Sequence, residues 1–112
     1  MASPRAVWIT LAVPVLVAAG TTAARAEQPA KIFETRCAPC HGKGGKPSPL
    51  FARQGVRDFT DQAWQKATSD AQIEKTIREG KKGTMMAAFG TQLSAQEIKG
   101  LVDTIRKLGA KK

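Results

Sequence analysis

The sequence predicts a small all-α domain of about three to five helices. Two capping boxes predict it, Ser69-Asp70-Ala71-Gln72 and Ser94-Ala95-Gln96-Glu97, each set before a helical apolar stripe. Glycines and prolines gather between the stripes, where loops belong. No stretch alternates with period two, as a half-buried strand would.

The first 26 residues read as a secretory signal. Arg5 supplies a weak basic start, and Ala6 to Ala19 is apolar except for Thr10 and Pro14. Ala24-Arg25-Ala26 is a small-x-small cleavage site, so the mature chain is expected to start at Glu27 and to form one domain over 27–112. The alternative is an uncleaved anchor, but the run falls short of the ~20 residues a spanning helix needs. Export implies an oxidising compartment, and a bacterial periplasm is the expected location.

Elements follow in order. Pro29 suits a first helical turn, and Ile32, Phe33 and Arg36 continue a helix over about 29–40. Gly42 to Pro49 holds three glycines and two prolines and must be a loop. Residues 50–66 are ambiguous, with one or two helical turns around Trp64 capped by Thr60. Ser69 opens a helix over about 70–79, in which Ile73 and Ile77 share a face and Gly80 ends the run. Gly83 to Gly90 is a loop carrying Met85, Met86 and Phe89. Ile98, Leu101, Val102, Ile105 and Leu108 then form one stripe, which Gly109 is expected to end.

The first helix closes on Cys37-Ala38-Pro39-Cys40-His41. This is the C-x-x-C-H spacing of c-type haem attachment. Each thiol can add to one vinyl group of a porphyrin, and the histidine that follows can reach the iron. The motif consumes both cysteines and the single histidine of the chain. A structural zinc site normally needs four protein ligands, and a redox dithiol would want a βαβ context that is absent.

Size points the same way. Cleavage would leave 86 of the 112 residues, and so small a chain is marginal without a staple. A covalent haem is such a staple. Without Arg5 and Arg25 the net charge of +9 becomes +7. Lys31, Arg36, Lys43 and Lys46 lie near the attachment motif, and Lys81 and Lys82 just before the two methionines. Lining a haem edge, they would steer the protein toward acidic partners. The bland alternative is a solubilising surface, which suffices for Lys111 and Lys112. Nucleic-acid binding lacks any motif or aromatic-interleaved basic stretch.

With these motifs placed, the mature chain resembles the class I cytochromes c in their short bacterial form. Phe33 stands four residues before the first cysteine, a glycine- and proline-rich loop follows the motif, and a methionine loop precedes the last helix. The family often reads Met-Pro-Ala-Phe-Gly there, and Met86-Ala87-Ala88-Phe89-Gly90 is the matching stretch. The resemblance implies a cytochrome c fold wrapped around one haem c bound through Cys37 and Cys40. It implies His41 and Met86 as iron ligands, with Met85 the adjacent rival. A thioether is a suitable sixth ligand in a chain with no second histidine. Trp64 matches a tryptophan that donates to a haem propionate, with backbone amides or Arg57 as further donors. His41 should donate its other ring N–H to a backbone carbonyl, which the family pattern assigns to Pro47 or Pro49. Ala87 departs from the family's proline. Thr104 replaces a usual aromatic, so Phe33 should pack on Leu101 and Ile105.

The function implied is a monomeric, exported one-electron carrier that is not an enzyme. Its partners would be acidic-surfaced redox proteins or membrane redox complexes, met transiently, without nucleic acid and without membrane insertion after cleavage. Two alternatives stay open. One is a haem protein whose labile sixth position binds small gases or peroxide. The other is a dedicated electron-transfer subunit of a larger oxidoreductase.

Overall fold

A computed structural model describes residues 2–17 and 27–110. The expected cleavage site at Ala24-Arg25-Ala26 lies outside the described residues. Residues 2–17 adopt neither helix nor strand and are exposed. Among the described residues, no helix is long and apolar enough to cross a membrane.

The described fold is all-helical, with five helices and no strand. Helix α1 is a continuous run of Pro29–Ile32, a wider π-helical turn Phe33–Cys37, and Ala38–His41. Its start follows from Pro29, which lacks the N–H that a first turn leaves unpaired anyway. The Gln28 carbonyl accepts from Lys31 and Ile32. Its end is enforced at Gly42, whose φ of 84° lies in the region open to glycine. A side chain there would also collide with the Lys46 carbonyl, 2.0 Å from an ideal Cβ.

The glycine-rich loop is shorter than the sequence suggests. Pro49 opens a helix, α2 (Pro49–Arg53), with extended Ser48 before it. Helix α3 (Gln62–Ala67) is capped by Asp61, not by Thr60. The Asp61 carboxylate accepts from the Ala63 and Trp64 N–H groups, while Thr60 turns its N–H and hydroxyl to Asp58. An ionised carboxylate at an N-cap also favours the positive helix end.

Helices α4 (Asp70–Glu79) and α5 (Ala95–Ala110) follow their capping boxes. Ser69 Oγ accepts from Gln72 N–H while the Gln72 side chain accepts from Ser69 N–H. Ser94 and Glu97 exchange the same pair of bonds. The expected stop at Gly109 is not observed, because α5 continues to Ala110. Gly109 is buried there, and a Cβ would meet the Gln65 side-chain nitrogen at 2.4 Å. Glycine serves a close approach at this position rather than a cap.

One apolar core holds these helices together. Ile32 and Phe33 of α1 are buried with Ile73 and Ile77 of α4 and with Ile98, Leu101, Val102, Ile105 and Leu108 of α5. Phe59 and Leu93 join them from connecting segments. Phe33 therefore shares its cluster with Leu101 and Ile105, without an aromatic partner on α5. Helix α1 crosses α5 where Gly100 faces Pro29, with only 2.3 Å from an ideal Cβ to Pro29 Cγ. The absent side chain allows the backbones to meet.

A polar clamp fixes the other side of α5. The Arg106 guanidinium donates to the Gln65 carbonyl and side-chain oxygen, each at 2.7 Å, and to the Thr68 carbonyl at 2.6 Å. It also pairs with Asp70 at 2.7 Å. Gln65 in turn donates to the Phe59 and Ile105 carbonyls. One guanidinium thus ties the α3–α4 connection to α5, and its planar fork suits several acceptors at once.

Candidate haem-attachment site

Helix α1 delivers the attachment motif to the rim of the core. Cys37 and Cys40 are free thiols, both half-buried. Burial pushes the Cys37 thiol up to about 11, against a smaller lowering by the Arg36 charge. Cys37 and Ala38 pack against the core, as do Trp64, Met86 and Phe89.

His41 is oriented by a carbonyl that the sequence did not reveal. Its Nδ1 lies 2.9 Å from the Arg57 carbonyl oxygen. A carbonyl can only accept, so Nδ1 carries the proton and Nε2 keeps its lone pair. The Pro47 or Pro49 assignment is therefore corrected. Pro47 is buried, and Pro49 is committed to the first turn of α2. The chain returns beside the motif because Phe59 N–H donates to the Gly45 carbonyl at 2.8 Å. That bond brings Arg57, two residues earlier, to the imidazole. Desolvation lowers the His41 pKa, which keeps the ring neutral, while the bond to Arg57 opposes the shift.

Phe59 is the site residue that sequence reasoning missed. Its ring stacks on His41 with centroids 4.3 Å apart and planes 14° apart. It also meets Trp64 at 5.3 Å and Phe33 at 6.1 Å, both tilted. Phe59 lies between Asp58 and Thr60, within the stretch 50–66 that the sequence leaves ambiguous. The one available signal was a lone large apolar residue in a polar stretch.

The methionine segment lies back on the end of α4. Gly80 closes that helix with a φ of 71°, and an ideal Cβ would come within 2.8 Å of the Met86 carbonyl. Lys81 N–H donates to the Met86 carbonyl at 3.1 Å. Phe89 and Gly90 donate to the Ile77 and Arg78 carbonyls at 2.9 and 3.0 Å. Met86 is half-buried on the core rim, whereas Met85 is 65% exposed. Arg36 of α1 donates to the Gln92 side chain, and Gln92 N–H donates to the Phe89 carbonyl. The attachment helix and the end of the methionine segment are thereby linked.

The donor set fits a haem. Cys37 and Met86 pack against the same apolar core, Cys40 is half-buried in the same motif, and His41, stacked on the core residue Phe59, keeps Nε2 open. Among the described residues, no three His, Cys, Asp or Glu side chains converge as a metal-ion cluster would require. Lys31, Arg36, Lys43, Lys46, Lys81 and Lys82 are all exposed.

An all-helical fold around a C-x-x-C-H motif defines a c-type cytochrome with covalently bound haem c. Comparison with known proteins agrees. Residues 24–103 match the family described as cytochrome c oxidase, cbb3-type, subunit III. The chain belongs to this family. It is 38% identical over 84 residues to the cbb3-type cytochrome c oxidase subunit FixP of Azorhizobium caulinodans, covering 75% of this chain and 27% of that protein. It is 34% identical over 93 residues to FixP of Bradyrhizobium diazoefficiens, covering 83% and 30%. The chain thus spans less than a third of these curated relatives. Among solved structures, it is similar to the KustC0563 c-type cytochrome, with 36% identity and a TM-score of 0.67. That match covers 73% of this chain and 98% of the other.

Proposed function

We propose that this cytochrome is an exported one-electron carrier whose haem iron is ligated by His41 Nε2 and Met86 Sδ. One observation carries the reading. Met86 is half-buried against the same core cluster as Cys37, while Met85 is largely exposed. The haem supplies an iron that accepts and returns one electron. The chain supplies the rest. Cys37 and Cys40 form the thioethers, Arg57 holds the His41 tautomer, and the Phe59 ring limits imidazole rotation. With His41 and Met86 both holding the iron, no position would be left for a substrate, and the bound haem would serve electron transfer alone. Trp64 is the candidate donor to a propionate.

The apolar, exposed segment 2–17 supports export, with a periplasmic location after cleavage at Ala26. The exposed lysines and Arg36 support transient docking on acidic redox partners, with a salt-dependent on-rate. Far-red absorption of the oxidised protein tests the ligation. A sulfur-to-iron charge-transfer band is the expected result. Its absence, together with CO binding to the reduced protein, would favour the open-site alternative.

A second reading has its own support. The matched relatives are named as subunits of a cbb3-type oxidase, so this chain is also a candidate subunit of a larger oxidoreductase. Gel filtration of a native extract separates the readings. A carrier elutes at the size of the free chain, and a subunit elutes with its complex.

A further inference from the structure

The family's proline after the distal methionine is Ala87 here, so no ring fixes the backbone at that point. The methionine segment nevertheless has a defined course. Its downstream half is tied to α4 through Phe89 and Gly90. Its upstream half has another device. Thr84 N–H and Thr84 Oγ1 both donate to the Lys81 carbonyl, at 3.2 and 2.7 Å. The same hydroxyl oxygen accepts from Met86 N–H at 3.2 Å. Lys81 N–H then holds the Met86 carbonyl at 3.1 Å. Between Lys82 and Met85, every described hydrogen bond runs through Thr84.

We propose that Thr84 is the positioning residue for the distal ligand, holding Met86 in the ligating conformation in place of the missing proline. The inference rests on Met86 being that ligand. The physical reason lies in the Met86 backbone. Both its N–H and its carbonyl are engaged, and only the N–H bond is made by a side chain. Removing the hydroxyl frees the Met86 amide and one lone pair of the Lys81 carbonyl together. The segment then samples more conformations in which the sulfur leaves the iron. An external ligand binds only those conformations, so its apparent affinity rises with their population.

The test uses the haem-loaded protein and three forms: wild type, Thr84→Val and Thr84→Ser. Imidazole is titrated into the oxidised protein while the far-red sulfur-to-iron band is followed. Losing one neutral hydrogen bond should tighten imidazole binding by about three- to tenfold in Thr84→Val and weaken the band. Thr84→Ser keeps the hydroxyl and should restore both. Far-UV circular dichroism on the same samples checks that the variants are folded. A folded Thr84→Val with wild-type imidazole affinity would overturn the proposal. Loss of the band in Thr84→Ser as well would also overturn it, because the hydroxyl would be present and yet not hold the ligand. A wild-type protein without the band would remove the Met86 reading itself, a different outcome from either.

Discussion

His41 Nδ1 and the Arg57 carbonyl oxygen are 2.9 Å apart, and this contact selects the imidazole tautomer that leaves Nε2 open. The acceptor is backbone, so the Arg57 side chain is dispensable to it. Arg57→Ala should leave the His41 Nδ1 proton resonance in place. Phe59→Ala should not, because it removes the ring stacked on His41 and opens a core cavity costing about 3–5 kcal/mol. Proton NMR of the histidine ring and thermal unfolding of the two variants check both halves.

Neighbouring methionines differ in burial, and the difference predicts opposite outcomes. Met86→Ala should abolish the far-red band and allow CO to bind the reduced protein. Met85→Ala should keep the band and exclude CO, since Met85 is exposed and outside the core rim. Optical spectra of both variants decide between the two sulfurs.

Gly100 marks the crossing of α1 and α5. Alanine is the better helix former by about 0.5–1 kcal/mol, so an unconstrained site would gain from the change. Here the added methyl would meet Pro29 Cγ at 2.3 Å, and overpacking of this kind costs about 1–3 kcal/mol. Gly100→Ala should therefore lower the unfolding midpoint in denaturant. Gly44→Ala is the control, since nothing lies within 4 Å of its Cβ, and it should be near neutral.

The α5 capping box predicts a pH dependence. The Ser94 N–H donated to Glu97 holds that carboxyl below the usual carboxylate range, with a smaller contribution from the Arg36 charge. A depressed pKa in the folded state means the unfolded chain takes up the proton first. The contribution is present above the ordinary carboxylate pKa and is lost as pH falls through the lower folded value. Glu97→Gln keeps the box but removes the charge. The Tm gap between wild type and variant should be steady near neutral pH and close in acid, as measured by thermal melts across that range.

Local rules account for what was legible in the sequence. Ser69 and Ser94 announced α4 and α5 because a capping box is complete within four residues. The stripe from Ile98 to Leu108 announced the core for the same reason, since helical periodicity is a property of one segment. The haem motif was legible because five adjacent residues carry it. Where two local signals competed, the tertiary context chose. Asp61 outranked Thr60 as a cap because Thr60 is held by Asp58. Gly109 lies inside α5, where its missing side chain leaves room for Gln65, rather than ending the helix.

By itself the sequence determined the helical class, the attachment motif and the capping boxes that open α4 and α5. Only the tertiary structure decided that Arg57 orients His41, that Phe59 backs the imidazole, and that Thr84 takes up the amide of Met86. The first two join segments 16 and 18 residues apart, and the third is a turn closed by a side chain rather than by a propensity. The first two contacts depend on where the chain returns. That is set by burial of Ile32, Phe59 and Leu101 in one core, and no local pattern records which loop the core will draw against the histidine.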